Sequence, residues 1–260
     1  MASPHVAAGK DFADRVVVVT GASAGIGAAL AREIAARGGK LVLAARRRKE
    51  LEEAAGAAGG ALAVVADVTR REDVRSILDA ALARHGRVDV WVNNAGRGIS
   101  RPLLALTDED VDTVFRDNLK SALYGMQVVL PHFKERKAGT LVNVSSMLSR
   151  VPFATIRSAY SAAKAAVDSI TETARLELAK EFPGIRVVLV LPGVVATDFG
   201  NNALGGGPDS RTLPGAQDVN EVARIIADGI AAGRSDVYTR PEGLETVIGH
   251  LRGLAGAPRA

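Results

Sequence analysis

The chain has 260 residues, no cysteine, and 33 lysine and arginine residues against 29 aspartate and glutamate residues. Without cysteine the protein forms no disulfide, no thiolate metal site and no cysteine nucleophile. The net charge of +4 is too small to indicate a nucleic-acid partner. Residues 1–14 contain no apolar segment behind a basic start, and no run approaches the roughly 18 apolar residues of a membrane span. We therefore expect a cytoplasmic protein without a bound metal.

Short runs rich in valine, leucine and isoleucine alternate along the chain with longer segments of helical periodicity. The predicted strands are residues 15–20, 40–45, 61–66, 88–93, 139–144, 185–191 and 236–239. The predicted helices are residues 25–37, 47–55, 71–84, 108–136, 159–181 and 219–232. This alternation predicts an α/β fold with a parallel sheet. It leaves no room for a second core, so we expect one domain over residues 15–240, between an N-terminal extension (1–14) and a poorly patterned C-terminal tail (241–260).

One long irregular segment, residues 198–217, interrupts the alternation. It is rich in glycine and contains the pair Asn201 and Asn202. A loop of that length inside a compact domain is usually functional. We predict a substrate loop near residues 194–217 that acts as a lid, and a plain surface loop is the alternative.

The first predicted strand runs directly into a turn that contains Gly21, Gly25 and Gly27, and a helix follows. Such a turn presents unpaired backbone N–H groups and a positive helix end to an anion. Glycines also allow a diphosphate to approach the main chain closely. The turn therefore predicts a dinucleotide site, and a structural turn without a ligand is the alternative.

The same turn also spells a nucleophile-elbow motif of α/β-hydrolases over residues 21–25, with Ser23 as the nucleophile. A serine hydrolase would need a histidine downstream, and His85, His132 and His250 are available. However, the elbow lies on the first strand, whereas a hydrolase nucleophile usually follows several strands. A serine hydrolase is therefore a remote alternative.

A serine, a tyrosine and a lysine are spaced for acid/base chemistry. Ser146 follows the strand predicted over 139–144, at the sheet edge where open α/β sheets bind ligands. Tyr160 and Lys164 are four residues apart and share one face of a predicted helix. An ammonium group near a phenol lowers the phenol's pKa, which suits Tyr160 to exchange protons near neutral pH. The hydroxyl of Ser146 could hold a substrate oxygen.

Taken together, these features resemble the short-chain dehydrogenase/reductase family. The matching positions, over roughly residues 15–200, are Thr20, Gly21, Gly25, Gly27, Asp67, Asn93, Asn94, Ala95, Gly96, Asn118, Ser146, Tyr160, Lys164, Pro192, Gly193 and Thr197. The resemblance implies a Rossmann-type, doubly wound sheet of seven parallel strands with helices on both faces. It also implies an enzyme of the carbonyl reductase or alcohol dehydrogenase type. Such an enzyme transfers hydride between a nicotinamide cofactor and a carbonyl or secondary alcohol.

The resemblance also implies roles for individual residues. The catalytic positions are Asn118, Ser146, Tyr160 and Lys164. The cofactor-binding positions are Gly21, Ser23, Gly25, Ile26, Gly27, Arg46, Arg47, Asp67, Val68, Asn94, Ala95, Gly96, Tyr160, Lys164, Pro192, Gly193, Val195 and Thr197. Tyr160 is expected to exchange a proton with the substrate oxygen. Lys164 is expected to lower the pKa of that tyrosine and to bind the nicotinamide ribose.

Four further roles follow from the same resemblance. Asn118 positions water in a proton relay, and it could also satisfy backbone groups at a helix bend. Asp67 meets the adenine amino group, or caps the next helix. Asn94 braces the sheet, and Thr197 contacts the carboxamide or the diphosphate.

The spacing from Ser146 to Tyr160 departs from the family pattern by one additional residue. An insertion between Leu148 and Ile156 would absorb it. The departure leaves open whether Ser145 or Ser146 is functional. We favour Ser146, which matches the family's second serine, and a third candidate is Ser149.

The residues after the second predicted strand indicate which nicotinamide cofactor binds. Enzymes that prefer NAD place an acidic residue there to bind the ribose 2′-hydroxyl, whereas this chain has Ala45. A basic run follows, in which Arg46 and Arg47 could bind a 2′-phosphate. The sequence therefore predicts NADP(H), and a solvated helix start that binds nothing is the alternative.

The predicted substrate end of the site is mostly apolar, which suits a small molecule with an apolar body. Its residues are Met147, Leu148, Phe153, Val194 and Phe199. A catalytically silent NADP-binding sensor or scaffold is the alternative to an enzyme. The resemblance also implies a homodimer or homotetramer through the two long predicted helices, 108–136 and 159–181.

Overall fold

The computed structural model describes residues 10–256. Its strands are β1 (Val16–Thr20), β2 (Lys40–Ala45), β3 (Leu62–Val65), β4 (Val90–Asn93), β5 (Gly139–Val144), β6 (Ile185–Leu191) and β7 (Asp236–Tyr238). Its α-helices are α1 (Gly25–Ala36), α2 (Arg48–Ala57), α3 (Arg71–His85), α4 (Asp108–Phe115), α5 (Ser121–Arg136), α6 (Ser158–Ala179), α7 (Val219–Ala231) and α8 (Gly243–Gly256). Every predicted strand is present.

The strands form one parallel sheet in the order β3-β2-β1-β4-β5-β6-β7. Helices α1, α2 and α7 cover one face, and helices α3, α5 and α6 cover the other. The predicted doubly wound sheet of seven parallel strands is therefore confirmed. Because both faces are covered, the inner strands are apolar on both sides: Val17 and Val19 enter one core and Val18 enters the other.

A buried polar network ties the two central strands to α5 and α6. The Trp91 indole donates to Asn93 Oδ1 (2.8 Å), and Asn93 Nδ2 donates to Asn143 Oδ1 (2.8 Å). Asn143 Nδ2 in turn donates to Thr171 Oγ1 at 2.8 Å. Gly125 lies against this network, so that α5 packs closely on β4. A fully satisfied buried network of this kind fixes one packing arrangement.

The segment predicted as one helix over 108–136 is helical throughout, but it is not a regular α-helix. A π-helical segment, Arg116–Lys120, separates α4 from α5. The side chain of Asn118 explains the break, because its Nδ2 donates to the carbonyl oxygen of Val114 at 2.9 Å. In a regular α-helix that carbonyl would accept the main-chain N–H of residue 118, so the side-chain bond competes with it.

Both ends of the chain contain more structure than the sequence pattern indicates. Residues 1–9 of the predicted N-terminal extension lie outside the described residues, but Phe12 is fully buried in the core. The predicted tail includes α8, whose Val247 packs with Leu189 and Leu191 of β6. Residues 257–260 lie outside the described residues.

The loop predicted near 194–217 is held by one bridge to the rest of the molecule and by one bridge between its own two ends. Leu204 bridges to Ile99, and Gln217 bridges to Val195. Ser100 donates its main-chain N–H to the Leu204 carbonyl at 2.9 Å. The loop therefore folds back over the segment that follows β4.

Within residues 10–256, no helix combines the length and the apolar character needed to cross a membrane.

Candidate active site

A cleft of about 580 Å³ lies at the carboxyl ends of the strands. The chain segments that line it leave β1, β2, β3, β4, β5 and β6, together with the start of α6 and the loop after β6. The strand order reverses between β1 and β4, and this is where open α/β sheets bind ligands. All predicted site residues except Gly27 and Asn118 line this cleft, including the five predicted substrate-end residues.

One end of the cleft is a glycine cradle formed by the turn after β1. Gly21 has a φ of +65°, and a Cβ there would lie 2.7 Å from the Cα of Ala95. Gly27 lies behind the turn, where a Cβ would be 2.5 Å from Asn94 Nδ2. Asn94 Nδ2 also donates to the carbonyls of Thr20 (2.9 Å) and Gly21 (3.2 Å), so this side chain braces the turn as predicted.

The cradle has the properties that a diphosphate requires. Helix α1 begins after Ala24, which gives it no side-chain cap, so its first N–H groups lack that partner. No acidic residue lies in its first turn. Thr197 lies opposite, with its methyl group 3.5 Å from a Cβ placed on Gly25. The residues present therefore fit the diphosphate of a dinucleotide.

Basic side chains line the cleft next to the end of β2. Ala45 ends that strand, and the exposed Arg46 and Arg47 follow. Arg47 donates to Ser23 Oγ at 3.1 Å, which joins this segment to the glycine cradle. Burial raises the pKa of Asp67, but hydrogen bonds from Thr69 and the charge of Arg46 outweigh burial, and the pKa is lowered. Asp67 is therefore a carboxylate that accepts hydrogen bonds at this end.

The other end of the cleft brings Ser146, Tyr160 and Lys164 together. Tyr160 is only 7% exposed, and the Ser146 hydroxyl acts to lower the pKa of its phenol. Lys164 lies one turn further along α6 and is 4% exposed, with Nζ 5.7 Å from the centre of the tyrosine ring. Its ammonium donates to the carbonyl oxygen of Val144 at 2.8 Å.

Burial dominates the pKa values of Tyr160 and Lys164, and Lys164 is not among the groups that lower the pKa of the phenol. Burial raises the pKa of Tyr160 to about 12, and the groups that oppose the rise are Ser146 and Arg157. Burial lowers the pKa of Lys164 to about 8. The physical reason is that burial disfavours the charged form of both groups, and that the ammonium is directed to the Val144 carbonyl.

Asn118 is 1% exposed and lies behind the cleft. Its Oδ1 accepts the Arg97 N–H at 3.2 Å, and its Nδ2 donates to the carbonyls of Arg97 (2.8 Å) and Val114 (2.9 Å). A Cβ on Gly96 would lie between Asn118 Oδ1 (2.6 Å) and Lys164 Nζ (3.3 Å). The side chain therefore holds the segment after β4 against the lysine, as the helix-bend interpretation expects.

A second polar cluster distinguishes the three candidate serines. Ser145 Oγ hydrogen-bonds to Asp168 and to the Lys164 carbonyl. Ser149 Oγ donates to the same carboxylate at 2.7 Å, and so does Arg150. Of the three serines, only Ser146 lowers the pKa of the phenol, which favours it as the functional one. A short 3₁₀ turn, Met147–Ser149, follows Ser146 in the segment between β5 and α6.

Among residues 10–256, no histidine is a partner for Ser23. His85 ends α3, His250 lies in α8, and His132 accepts the main-chain N–H of Val88 at 3.1 Å. Among the described residues, no histidine lines the cleft. A serine hydrolase is therefore not supported.

Arg157 is a buried charged residue in the cleft that the sequence did not predict. It is buried, and its guanidinium lies 5.9 Å from the centre of the Phe199 ring. Its position three residues before Tyr160, on the same helix face, was the available signal. Arg97, and Asn202 and Leu213 of the loop after β6, also line the cleft.

Comparison with known proteins identifies the family. A model of the family described as short chain dehydrogenase matches residues 15–204. The chain is 36% identical over 242 residues to the 4-formylbenzenesulfonate dehydrogenase TsaC1/TsaC2 of Comamonas testosteroni, which covers 91% of this chain and 90% of that protein. It is 37% identical over 199 residues to the uncharacterized oxidoreductase YxnA of Bacillus subtilis, an alignment that covers 75% of this chain but only 56% of the relative.

Two solved structures have the same architecture. A short-chain dehydrogenase/reductase from Burkholderia phymatum, in complex with NAD, matches with a TM-score of 0.86 at 26% identity and covers 96% of this chain and 99% of its own. A short-chain dehydrogenase from Sphingobium yanoikuyae, in complex with NADPH, matches with a TM-score of 0.78 at 30% identity and covers 95% and 96%. The chain belongs to the short-chain dehydrogenase/reductase family and is an oxidoreductase of that family.

Proposed function

We propose that the protein is an NADP(H)-dependent oxidoreductase that transfers hydride between the nicotinamide and a carbonyl or secondary alcohol of an apolar small molecule. The observation that carries this proposal is one cleft with two chemical ends. The glycine cradle and Arg46 lie at one end, and Ser146, Tyr160 and Lys164 lie at the other. When bound, the cofactor supplies hydride to the carbonyl carbon or takes it from the alcohol carbon.

Tyr160 is the proton donor for reduction in this proposal. Burial raises its pKa to about 12, so the phenol keeps its proton at neutral pH and can give it to the oxygen of a substrate carbonyl. In this proposal the hydroxyl of Ser146, which lowers the pKa of the phenol, holds the same oxygen. The phenolate that this transfer leaves regains a proton from solvent, and the nearby charge of Lys164 favours the phenolate until then. Oxidation of an alcohol needs the phenolate, so we expect that direction to accelerate as pH rises.

The preference for NADP(H) rests on the end of β2. Ala45 provides no carboxylate that would accept a ribose hydroxyl or repel a 2′-phosphate. Arg46 lines the cleft and carries a guanidinium whose fork matches a phosphate. Known structures of the fold include one with NAD and one with NADPH, so the residues of this chain carry the choice.

Four neighbouring side chains at the substrate end are apolar, Met147, Leu148, Phe153 and Val194, which supports a substrate with an apolar body. The ring of Phe199 lies 5.5 Å from that of Tyr160 and closes this end from the loop side. Two of the relatives are named as a 4-formylbenzenesulfonate dehydrogenase and a 3beta-hydroxysteroid dehydrogenase. Carbonyls and alcohols on ring systems are therefore the first compounds to assay.

We further propose a homodimer or homotetramer that packs through the outer faces of α4, α5 and α6. Leu176 on α6 is 71% exposed and supplies apolar surface there. Ala163 and Val167 pack inside the protomer, at 0% and 1% exposure, and do not contribute. Light scattering after gel filtration tests this proposal, and a monomer at micromolar concentration would contradict it.

The experiment for the main proposal is a panel of aromatic and alicyclic carbonyls, assayed with NADPH and NADH separately. We expect turnover with NADPH, and a loss of it in Tyr160→Phe that leaves NADPH binding intact. Arg46→Ala should weaken NADPH binding and leave NADH binding nearly unchanged, since only NADPH has the 2′-phosphate. An unchanged NADPH affinity in Arg46→Ala would refute the cofactor assignment. NADPH binding by the wild type without turnover of any compound would favour the sensor alternative.

A further inference from the structure

Arg157 is a buried cation without a counter-charge. It lies at the end of a 3₁₀ turn, Thr155–Arg157, directly before α6, and is 9% exposed. Its Nη1 is buried and has no hydrogen-bond partner. No carboxylate among residues 10–256 lies within ion-pair distance of it. It nevertheless lines the cleft, at the end that holds Tyr160.

The other buried arginine shows how this protein satisfies such a group. Arg37 is 5% exposed, and its guanidinium bonds to Glu33 and Asp228, each at 2.6 Å. The two arginines are similarly buried, yet only Arg37 has carboxylate partners. Leaving a buried charged donor unpaired costs free energy, so such groups are normally matched.

Structural explanations do not account for the position of Arg157. It precedes the N-terminus of α6, where a positive charge opposes the helix dipole. Burial lowers the pKa of its guanidinium, although the group stays charged at any physiological pH. Stacking on Phe199 at 5.9 Å contacts the face of the guanidinium and satisfies none of its N–H donors.

The space around the guanidinium contains a second unsatisfied group. A Cβ on Gly98 would collide with Nη1, and a Cβ on Gly207 would lie 3.2 Å from Nη2 and 2.6 Å from Ser100 Oγ. That serine hydroxyl is also buried without a hydrogen-bond partner. The two glycines thus make room for the guanidinium, and Arg157 and Ser100 both have an unpartnered donor in this region.

Arg157 and the reacting residue, Tyr160, lie on either side of one aromatic ring, that of Phe199. Phe199 contacts both residues: its ring centre lies 5.5 Å from that of Tyr160 and 5.9 Å from the Arg157 guanidinium carbon. The charge of Arg157 also reaches the phenol, whose pKa it lowers. A substrate whose carbonyl contacts Tyr160 can therefore place a second group at Arg157.

We propose that Arg157 is a specificity-determining residue that binds an anionic oxygen group of the substrate, a carboxylate or a sulfonate, remote from the reacting carbonyl. The inference rests on the proposed function and adds the acid group to the substrate class. Both anions offer oxygens in the geometry that a guanidinium fork recognises. The apolar residues of the cleft then contact the body between the two polar ends.

The test compares three compounds that differ only in the remote group: 4-formylbenzoate, its methyl ester, and 4-formylbenzenesulfonate. Each is assayed with NADPH for the wild type, Arg157→Met and Arg97→Met. Arg97 is the matched control, because it lines the same cleft but its guanidinium already donates to the Asn202 carbonyl at 3.3 Å. We expect the wild type to prefer the acids over the ester by about 10- to 100-fold in kcat/KM. Arg157→Met should abolish this preference, and Arg97→Met should retain it.

A preference for one acid alone identifies which anion the site takes. An acid-to-ester ratio that is the same in Arg157→Met and the wild type overturns the proposal, as does a wild type that favours the ester. Thermal melting of each variant shows whether it is folded.

Calorimetric titration with benzoate, compared with benzamide, separates this inference from the proposed function. If the wild type binds benzoate and Arg157→Met does not, the anion site is supported, whether or not any carbonyl is turned over. A lack of turnover alone would count against the proposed function only. Failure of the wild type to bind benzoate, together with equal ratios in turnover, counts against Arg157 only.

Discussion

Gly27 tests the claim that the turn after β1 is a close-packed cradle. A Cβ on Gly27 would lie 2.5 Å from Asn94 Nδ2 and 2.6 Å from the Gly21 carbonyl oxygen. Alanine therefore displaces the amide that donates to Thr20 and Gly21. Gly56 is the control, because it also lies in a helix, is exposed, and a Cβ there meets nothing within 4 Å.

The two substitutions should have opposite signs. In Gly27→Ala, overpacking costs about 1–3 kcal/mol and weakened Asn94 bonds cost about 1 kcal/mol each, against a helix-propensity gain of about 1 kcal/mol. We expect a net loss of about 2–4 kcal/mol, or a fall in Tm of roughly 4–16 °C for a chain of this size. Gly56→Ala should gain about 0.5–1 kcal/mol, because alanine replaces glycine without strain.

The assays are thermal unfolding by circular dichroism and NADPH binding by fluorescence. Gly27→Ala should also bind NADPH at least about tenfold more weakly, since one misplaced contact of about 1.4 kcal/mol has that effect. Gly56→Ala should bind it as the wild type does. If Gly27→Ala melts at or above the wild-type temperature and binds NADPH normally, the cradle is not packed as described.

Three further predictions concern the core and the buried charges. Gly125→Ala should lower stability by about 2–4 kcal/mol, because its Cβ collides with Asn93 Oδ1 beside Trp91, the single tryptophan; unchanged tryptophan emission would contradict this. The stability of the wild type should rise from pH 8 towards 10, because the unfolded state still holds a lysine proton that Lys164, with its pKa lowered to about 8, has released. In Lys164→Met this rise, worth up to about 3 kcal/mol, should disappear from urea titrations, and its persistence would mean that the lysine is not desolvated. Asp168→Asn should lower the urea midpoint by the equivalent of about 1–3 kcal/mol, because three donors lose a charged acceptor; an unchanged midpoint would show that these bonds contribute nothing net.

The sheet could be predicted from sequence because its signals are local. Strands buried on both faces read as continuous apolar runs, as in β1 and β6, and glycines mark the turns that follow. The residues at the carboxyl ends of parallel strands also meet at one edge by topology alone. This is why Ser146, Tyr160 and the glycine turn fall in one cleft, as the sequence predicted.

The remaining features depend on side-chain contacts between distant segments. The π-helical break follows from Asn118, whose amide bonds to Arg97 from another segment as well as to Val114. The raised pKa of Tyr160 follows from burial, which no local spacing reveals. Arg157 became recognisable only when the loop after β6 placed Phe199 beside it.

The direct test of the central claim is isotope transfer. NADPH that carries deuterium at the reactive position of the nicotinamide is incubated with a carbonyl from the panel, and the product alcohol is analysed by mass spectrometry. We expect the wild type to form alcohol that carries one deuterium per molecule. We expect Tyr160→Phe to form no labelled alcohol, although that variant still binds NADPH. Unlabelled alcohol from the wild type would contradict hydride transfer from the cofactor. Labelled alcohol formed by Tyr160→Phe at the wild-type rate would contradict the role of Tyr160 as the acid.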